Sequence, residues 1–456
     1  MIKKLFLNTK INATNDELSD EPKPDKTPKK SKLLDKNIEA NYSNCRNYCS
    51  IMKFPLTMMR ILGLYHRKND PFYLKIYPLS VIVILWLSFA RTFSLYGFWY
   101  GKSDEFSVNL VYKIIINLWC FITVFNATII YINQEIYSRE NQLIHDLSYF
   151  LDNHCDDKRR KRLRKKIILF FILGALVGIL NSTAGAASLF GPDFIFKAFS
   201  SFLAPFHESQ WAKESIPYKI LNCIILSYTS FFWVLTIDYY LSHCDILTFI
   251  FENFNKDFRE LINNNILVTN KRPNGDQSGY ELEENFDSLR KKQLQICKII
   301  NQLDKCYKHS IGMSLIVYIT IVLLLLYVMS DWNGNCINGI MSFLYPFWTI
   351  NGGIILLLIV VFATRVHEKA IGILDDLLEV DIEEFTNSLC FKINMMINKL
   401  KYSEMSLTAF GIIEIDKQFI LTVLGTLLSY FIVIYELKGG NSNTTACDQN
   451  SNSTNF

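Results

Sequence analysis

The 456 residues are half hydrophobic and 14% aromatic, yet they include 47 Lys and Arg and 43 Asp and Glu, for a net charge of +4. So many charges in a chain with a mean hydropathy of +0.16 exclude an evenly mixed soluble globule, and the sequence sorts them into charged stretches between apolar ones, as a membrane protein does. Nucleic acid is not among the expected partners.

In chain order, residues 1–50 are expected to form a solvated, disordered cytoplasmic tail, because Lys-Pro-Asp-Lys-Thr-Pro-Lys-Lys at 23–30 has no apolar surface to bury. Met1 to Leu7 begins basic, but its apolar run is cut by Asn8 and Lys10, so no secretory signal is expected. Cys45 and Cys49 have no His or second Cys pair beside them, which favours acylation or inertness over metal binding. A short amphipathic piece, Pro55 to Leu64, leads into the first apolar stretch.

Seven apolar stretches follow, at about 76–95, 108–132, 167–189, 220–241, 313–329, 340–364 and 419–435. Each reaches the ~17–25 residues that cross a bilayer as a helix. The expected fold class is all-α with seven transmembrane helices. Its divisions are the tail (1–50), the first four spans (51–250), a cytoplasmic loop and helical extension (251–311), the fifth and sixth spans (312–364), two cytoplasmic helices (365–412), the seventh span (413–437) and a last tail (438–456).

An odd number of spans puts the two ends on opposite sides. Lys and Arg number 15, 9, 10 and 6 in the amino-terminal segment and alternate loops, against 1, 3, 0 and 1 in the others. Basic residues stay cytoplasmic, so the amino terminus is expected inside and the carboxyl terminus outside. The last tail carries two glycosylation acceptors, Asn443-Thr444-Thr445 and Asn452-Ser453-Thr454, and a third, Asn181-Ser182-Thr183, lies near the outer end of the third span. Cys336 and Cys447 are the two clearly external cysteines and form a disulfide candidate.

Two cytoplasmic regions are too long for turns. Helix is expected from Phe251 to about Leu261, then a break through Asn263-Asn264-Asn265 and Pro273-Asn274-Gly275, then helix again from about Leu282. Phe286, Leu289, Ile296, Ile300, Leu303 and Tyr307 carry an apolar face from there into the fifth span. Between the sixth and seventh spans, Ala370 to Leu374 and then Phe385, Leu389, Ile393, Met396 and Leu400 predict two more amphipathic helices. Such faces serve packing within one chain or joining of chains.

No enzyme emerges. His367-Glu368 lacks the spacing of a zinc helix, and no Gly-rich loop precedes a Lys-Ser or Lys-Thr pair, so neither cofactor nor metal is expected. The polar groups inside the spans are the better candidates. Arg91 lies near the outer end of the first span, and Lys113 and Asn117 lie one turn apart in the second, near Trp119. Asn181 and Ser182 close the third span, Ser227 and Tyr228 sit in the fourth, Tyr327 and Trp332 end the fifth, and Tyr345, Trp348 and Asn351 open the sixth. Taken singly, such aromatics form an interfacial belt; taken together, they suit the lining of a small-ligand pocket. Gly174 and Gly178, four apart, mark close helix packing.

Within the seventh stretch, Gln418, Thr422, Thr426, Ser429 and Glu436 recur at steps of four, four, three and seven, on one face of a helix otherwise made of Leu, Ile, Val and Phe. A polar stripe in a span faces other protein or water. Both a buried helix whose hydroxyls bond back to the preceding turn and a pore wall are compatible with it.

Ser429-Tyr430, five apolar residues and Glu436-Leu437, preceded by Ala409, Gly411 and Asp416, resemble the closing helix of the insect gustatory receptors, whose signature is Thr-Tyr, five apolar residues and Gln-Phe. Pro55, Arg60 and Leu62-Gly63-Leu64 resemble that family's amino-terminal pattern. Glu for Gln and Leu for Phe mark a divergent member of the gustatory and odorant chemoreceptor superfamily. The resemblance implies a homo- or hetero-tetramer in the plasma membrane, gated by a small-molecule ligand and permeable to cations. It also implies that the inner ends of the fourth to sixth helices join the subunits, and that the seventh helix lines one central pore. On that reading Thr422, Thr426, Ser429 and Glu436 face the pore, with Ile432, Val433 and Leu437 as candidates for an apolar constriction. The other classes weighed are a seven-helix receptor that signals through a cytoplasmic partner without conducting, and a transporter, for which no inverted repeat with broken helices is evident.

Overall fold

The computed structural model describes residues 46–66, 70–95, 108–154, 157–190, 215–269, 276–330, 339–379, 387–402 and 405–439. The amino-terminal tail, Trp332, Cys336, Cys447, Asn443 and Asn452 lie outside them. Helices α1 (Arg46–Ile61), α2 (Phe72–Leu95), α3 (Val108–Tyr131), α4 (Arg139–His154), α5 (Asp157–Phe190) and α6 (Ile216–Thr269) are followed by α7 (Asp276–Ser330), α8 (Gly339–Ile371), α9 (Leu374–Leu378), α10 (Asn387–Tyr402) and α11 (Lys417–Gly439). Seven of them, α2, α3, α5, α6, α7, α8 and α11, are long and apolar enough to cross a membrane.

Helix α6 is the centre. Every residue from Phe232 to Thr248 is buried, so its surface is covered all round. Helices α5 and α8 pack along it, and α3, α7 and α4 complete the covering. Gly174 and Gly178 allow the close approach of α5: a Cβ on Gly174 would meet Asp238 and Val234, and one on Gly178 would meet Phe231.

At ~1.5 Å per residue, the 54 residues of α6 and the 55 of α7 run about 80 Å, far beyond the ~30 Å of a hydrocarbon core. The expected break at Asn263-Asn264-Asn265 is absent, since α6 continues to Thr269, and α7 already begins at Asp276. Each Asn costs a helix well under 1 kcal/mol relative to Ala, which the flanking turns outweigh. Pro273, Asn274 and Gly275 lie outside the described residues.

In the extension, Phe286 meets Phe258 with ring centroids 6.3 Å apart, and Phe286, Leu289, Ile296, Ile300, Leu303 and Tyr307 are all buried. On α10, Leu389, Ile393, Met396 and Leu400 are buried too. Lys392 ties α10 to Glu283 at 2.7 Å and Asp287 at 2.6 Å on α7, and these hydrogen-bonded carboxylates, Asp287 first, hold its ammonium pKa up. Both stripes are thus spent within the chain. What α10 leaves bare is a separate pair one turn apart, Phe391 and Met395. Of the two helices expected there, Ala370 and Ile371 belong to the end of α8, and the first is the five-residue α9.

A π-helical turn, Ile132–Ile136, ends α3. There Asn133 donates to the Cys306 carbonyl and Gln134 to that of His66, each at 2.6 Å, fixing the end of α3 to α7 and to the segment after α1.

A two-stranded hairpin, β1 (Thr408–Ala409) and β2 (Ile413–Glu414), pairs Thr408 with Glu414 and Ala409 with Ile413 just before α11. Its turn holds Phe410 and Gly411 at φ 59° and 78°, the left-handed region that glycine adopts freely. Asp304 on α7 accepts from both the backbone N–H and the hydroxyl of Thr408 at 2.7 Å, and Phe410 N–H donates to the Lys308 carbonyl at 2.9 Å. Asp416 then caps α11 by accepting from Phe419 N–H at 2.8 Å, while its own carbonyl accepts from Thr364 on α8 at 3.2 Å. Ala409, Gly411 and Asp416 therefore set where and at what angle the last span begins.

Candidate functional site

Two features of the bundle have the form of functional sites: a cavity around α6, and the bare surface of α11.

The cavity lies between α3, α5, α6, α7 and α8 and encloses about 800 Å³ of empty space, counted out to its open side. Trp233 is its hub. The indole stands edge-on to Trp119 at 6.1 Å between centroids and tilted against Trp348 at 6.2 Å and Tyr318 at 6.4 Å. Ile115, Ile116, Leu226, Ile321 and Leu325 complete walls that are almost wholly apolar. Few polar groups enter: Asn181 at both ends of its amide, Ser230 at its hydroxyl and Trp119 at its indole N–H are buried without a hydrogen-bond partner among the described residues. A buried polar atom left unpaired costs roughly 1–3 kcal/mol, so a ligand group that reached one of these atoms would offset that cost. An aromatic-lined cavity with few polar groups suits a small, largely apolar molecule carrying a hydroxyl or carbonyl.

Of the ten residues proposed from sequence for a ligand pocket, Trp119 and Trp348 line this cavity. The other described ones do not. Asn117 is buried and bonds the Lys113 carbonyl at 3.0 Å, and Lys113 is half-buried. Tyr228 meets the Tyr77 hydroxyl at 3.1 Å, and Ser227 and Tyr327 are half-buried outside the lining. Asn351 bonds the Phe347 carbonyl at 2.8 Å, and Tyr345 is buried one turn before Thr349, to which its carbonyl is bonded. Trp332 lies outside the described residues. Sequence reasoning missed Trp233, Ser230 and Tyr318, and placed Asn181 at the end of the third span, whereas α5 continues nine residues past it to Phe190. The available signal was position: Trp119 and Trp233 stand in the middle of spans, away from the interfacial belt. Arg91 is accounted for by Asn222 at 3.3 Å and by the Tyr218 ring at 4.7 Å.

Helix α11 differs from every other span. Only 6% of Lys417–Ile434 is buried, against 22–56% for the rest. Phe419, Ile420, Val423 and Leu427 pack on the bundle, and Gln418, Thr422, Thr426, Ser429 and Glu436 are all exposed, about 100° round the helix from that packed side. Thr422 and Thr426 bond back to the carbonyls of Gln418 and Thr422 at 2.9 and 2.7 Å, which satisfies the hydroxyl protons and leaves oxygen lone pairs facing outward. Val433 falls in the same row, between Ser429 and Glu436, while Ile432 stands one residue, about 100°, away. Both are exposed; the side chain of Leu437 lies outside the described set. Leu421, Leu424 and Leu428 form a third, apolar face.

A family model described as "7tm Chemosensory receptor" matches residues 52–435. Among solved structures, the fold is similar to the insect olfactory receptor OR5 from Machilis hrabei. The TM-score is 0.55 at 12% sequence identity, covering 86% of this chain and 100% of that one. The same receptor in complex with eugenol matches with a TM-score of 0.55, 13% identity and the same coverage. No curated protein sequence matches the chain significantly.

Proposed function

This chain belongs to the 7tm chemosensory receptor family, and from that premise we propose that it is a ligand-gated, cation-permeable chemoreceptor of the plasma membrane, gustatory-like, built as a tetramer around α11. The observation that carries the reading is the nearly bare α11, whose polar row stands clear of its packed face. A lone subunit in lipid would leave that row facing hydrocarbon; four subunits meeting on an axis turn it toward water. The amino terminus is cytoplasmic on the basic-residue asymmetry, and Phe391 and Met395 are the surface left for a subunit contact below the membrane.

In that assembly Glu436 repeats as an outer ring of carboxylates, which concentrates cations and repels anions. Val433, one turn inward, is the apolar member of the row and the residue best placed for a constriction that wets on opening. The cavity around Trp233 takes the ligand; that receptors of this fold bind small aromatic molecules is supported by the similar olfactory receptor in complex with eugenol. Occupancy biases the pore only by the difference in affinity between open and closed forms.

The test is whole-cell current in cells expressing the chain, wild type beside Glu436→Gln, with small aromatic alcohols, sugars and bitter compounds as stimuli and mono- and divalent cations exchanged. A ligand-evoked current whose divalent-to-monovalent permeability ratio falls in the variant supports the reading. An evoked current with unchanged ratios removes Glu436 from the conduction path.

A further inference from the structure

The first ten residues of α5 are Asp157-Lys158-Arg159-Arg160-Lys161-Arg162-Leu163-Arg164-Lys165-Lys166, and the apolar run starts at Ile167. Arg159, Arg162 and Lys166 stand at i, i+3 and i+7, on one face of the helix. That face looks onto a second cavity, bounded by α6 and by Arg365 of α8, with about 880 Å³ of empty space open to the exterior.

Its charges do not cancel. Asp245 is engaged by Lys166, and Glu252 by Lys369 at 3.2 Å. Arg159 donates only to a neutral acceptor, Asn253 Oδ1, at 2.7 Å. Arg365 rests its guanidinium 5.8 Å from the Phe362 ring, and Arg162 has no hydrogen bond or ion pair among the described residues. Three guanidinium groups thus converge on one cavity with no carboxylate assigned to them. Guanidinium presents a planar fork of donors that matches phosphate oxygens two at a time, and the level is that of the headgroups, one residue before α5 turns apolar.

We propose that this cavity is a binding site for an organic phosphate: a phosphate monoester on an inositol-type headgroup, or the same group on a soluble inositol phosphate. A monoester carries about −1.5 to −2 charge near neutrality, which three arginines complement better than they do the single diester charge of a zwitterionic lipid. A ligand here would bridge α5, α6 and α8, which also wall the cavity around Trp233, so its occupancy would set how stiffly the bundle holds that upper site. The placement uses the proposed orientation, in which this end of α5 is cytoplasmic.

The experiment is direct binding to the purified full-length chain in detergent, which depends on neither orientation nor conduction and so fails separately from the channel reading. Probes are dioctanoyl phosphatidylinositol 4,5-bisphosphate, inositol 1,4,5-trisphosphate and dioctanoyl phosphatidylcholine, against wild type, R162Q/R365Q and the charge-keeping R162K/R365K. The proposal expects the bisphosphate lipid to bind, at least tenfold more weakly in R162Q/R365Q and with a smaller loss in the lysine pair. Should the double glutamine variant elute aggregated, R162Q alone is compared, since Arg162 makes no hydrogen bond or ion pair among the described residues. Equal affinity for the soluble trisphosphate assigns the site to a free phosphate; preference for the lipid assigns it to a headgroup. Unchanged affinity in the glutamine variants, or phosphatidylcholine binding as tightly as the bisphosphate lipid, overturns it.

Discussion

Phe410 packs against Gly312, so close that a Cβ on that glycine would stand 2.4 Å from Phe410 Cδ2. The contact seats the hairpin that launches α11 on the middle of α7. Gly312→Ala must displace the ring, an overpacking that costs about 1–3 kcal/mol. The expected outcome is a lower Tm of the purified protein together with an altered ligand concentration for half-maximal response. Gly353→Ala, where an added Cβ meets nothing within 4 Å, is the control: the half-maximal concentration is expected to stay unchanged, and Tm to hold or rise, since Ala favours a helix interior over Gly by about 1 kcal/mol.

Glu140, on α4 outside the spans, is buried and accepts a hydrogen bond from the Tyr239 hydroxyl. Burial raises its pKa to about 7, against the smaller lowering effect of the Tyr239 bond. The folded form therefore holds its proton more tightly than the unfolded chain, whose carboxyl titrates near 4.5. Stability from this group is fully present below about 4.5 and is lost as pH rises through about 7. In wild type, the Glu140 contribution lowers Tm between pH 5 and pH 8. Glu140→Gln keeps an acceptor for Tyr239 and removes that component, so its Tm is expected to gain on wild type as pH rises. A constant difference between the two across that window would place the proton elsewhere.

Asn181 tests the cavity. Both ends of its amide are buried and unpaired, so a ligand that bonds it gains on the order of 1–2 kcal/mol. Asn181→Ala is expected to raise the half-maximal concentration roughly 5- to 30-fold for a ligand bearing a hydroxyl. A ligand of the same shape without the hydroxyl should respond alike in both proteins. Radioligand displacement on membranes separates this binding effect from gating.

The seven spans were legible in the sequence because a bilayer demands about twenty predominantly apolar residues in a row, and seven such runs separated by charged stretches fit that demand. Ahead of α11, Gly411 and Asp416 stood out in the sequence through the family resemblance, and the structure gives them local roles: Gly411 turns and Asp416 caps. The cavity was not legible. Which side of a helix faces inward is read from a contrast between its faces, and α6 is buried all round from Phe232 to Thr248, so no facial contrast singled out Trp233, and its place in mid-span was the one signal left. Tyr345, Trp348 and Asn351 were picked out together near the start of α8, but of the three only Trp348 lines the cavity where α3, α6, α7 and α8 come together. The stripe on α10 was correctly seen as amphipathic, but only packing reveals that Leu389, Ile393, Met396 and Leu400 turn toward their own chain.

Cysteine accessibility along α11 tests whether its polar row faces water in a conducting pore. Thr426→Cys and Ser429→Cys stand in the row, and Leu424→Cys and Leu428→Cys stand on the opposite, apolar face. A membrane-impermeant charged methanethiosulfonate is applied while ligand-evoked current is recorded, with wild type as the baseline for native thiols. The account predicts progressive block at positions 426 and 429 during ligand application and no change at 424 and 428. Block at 424 and 428 with 426 and 429 indifferent, in channels that conduct, would contradict it.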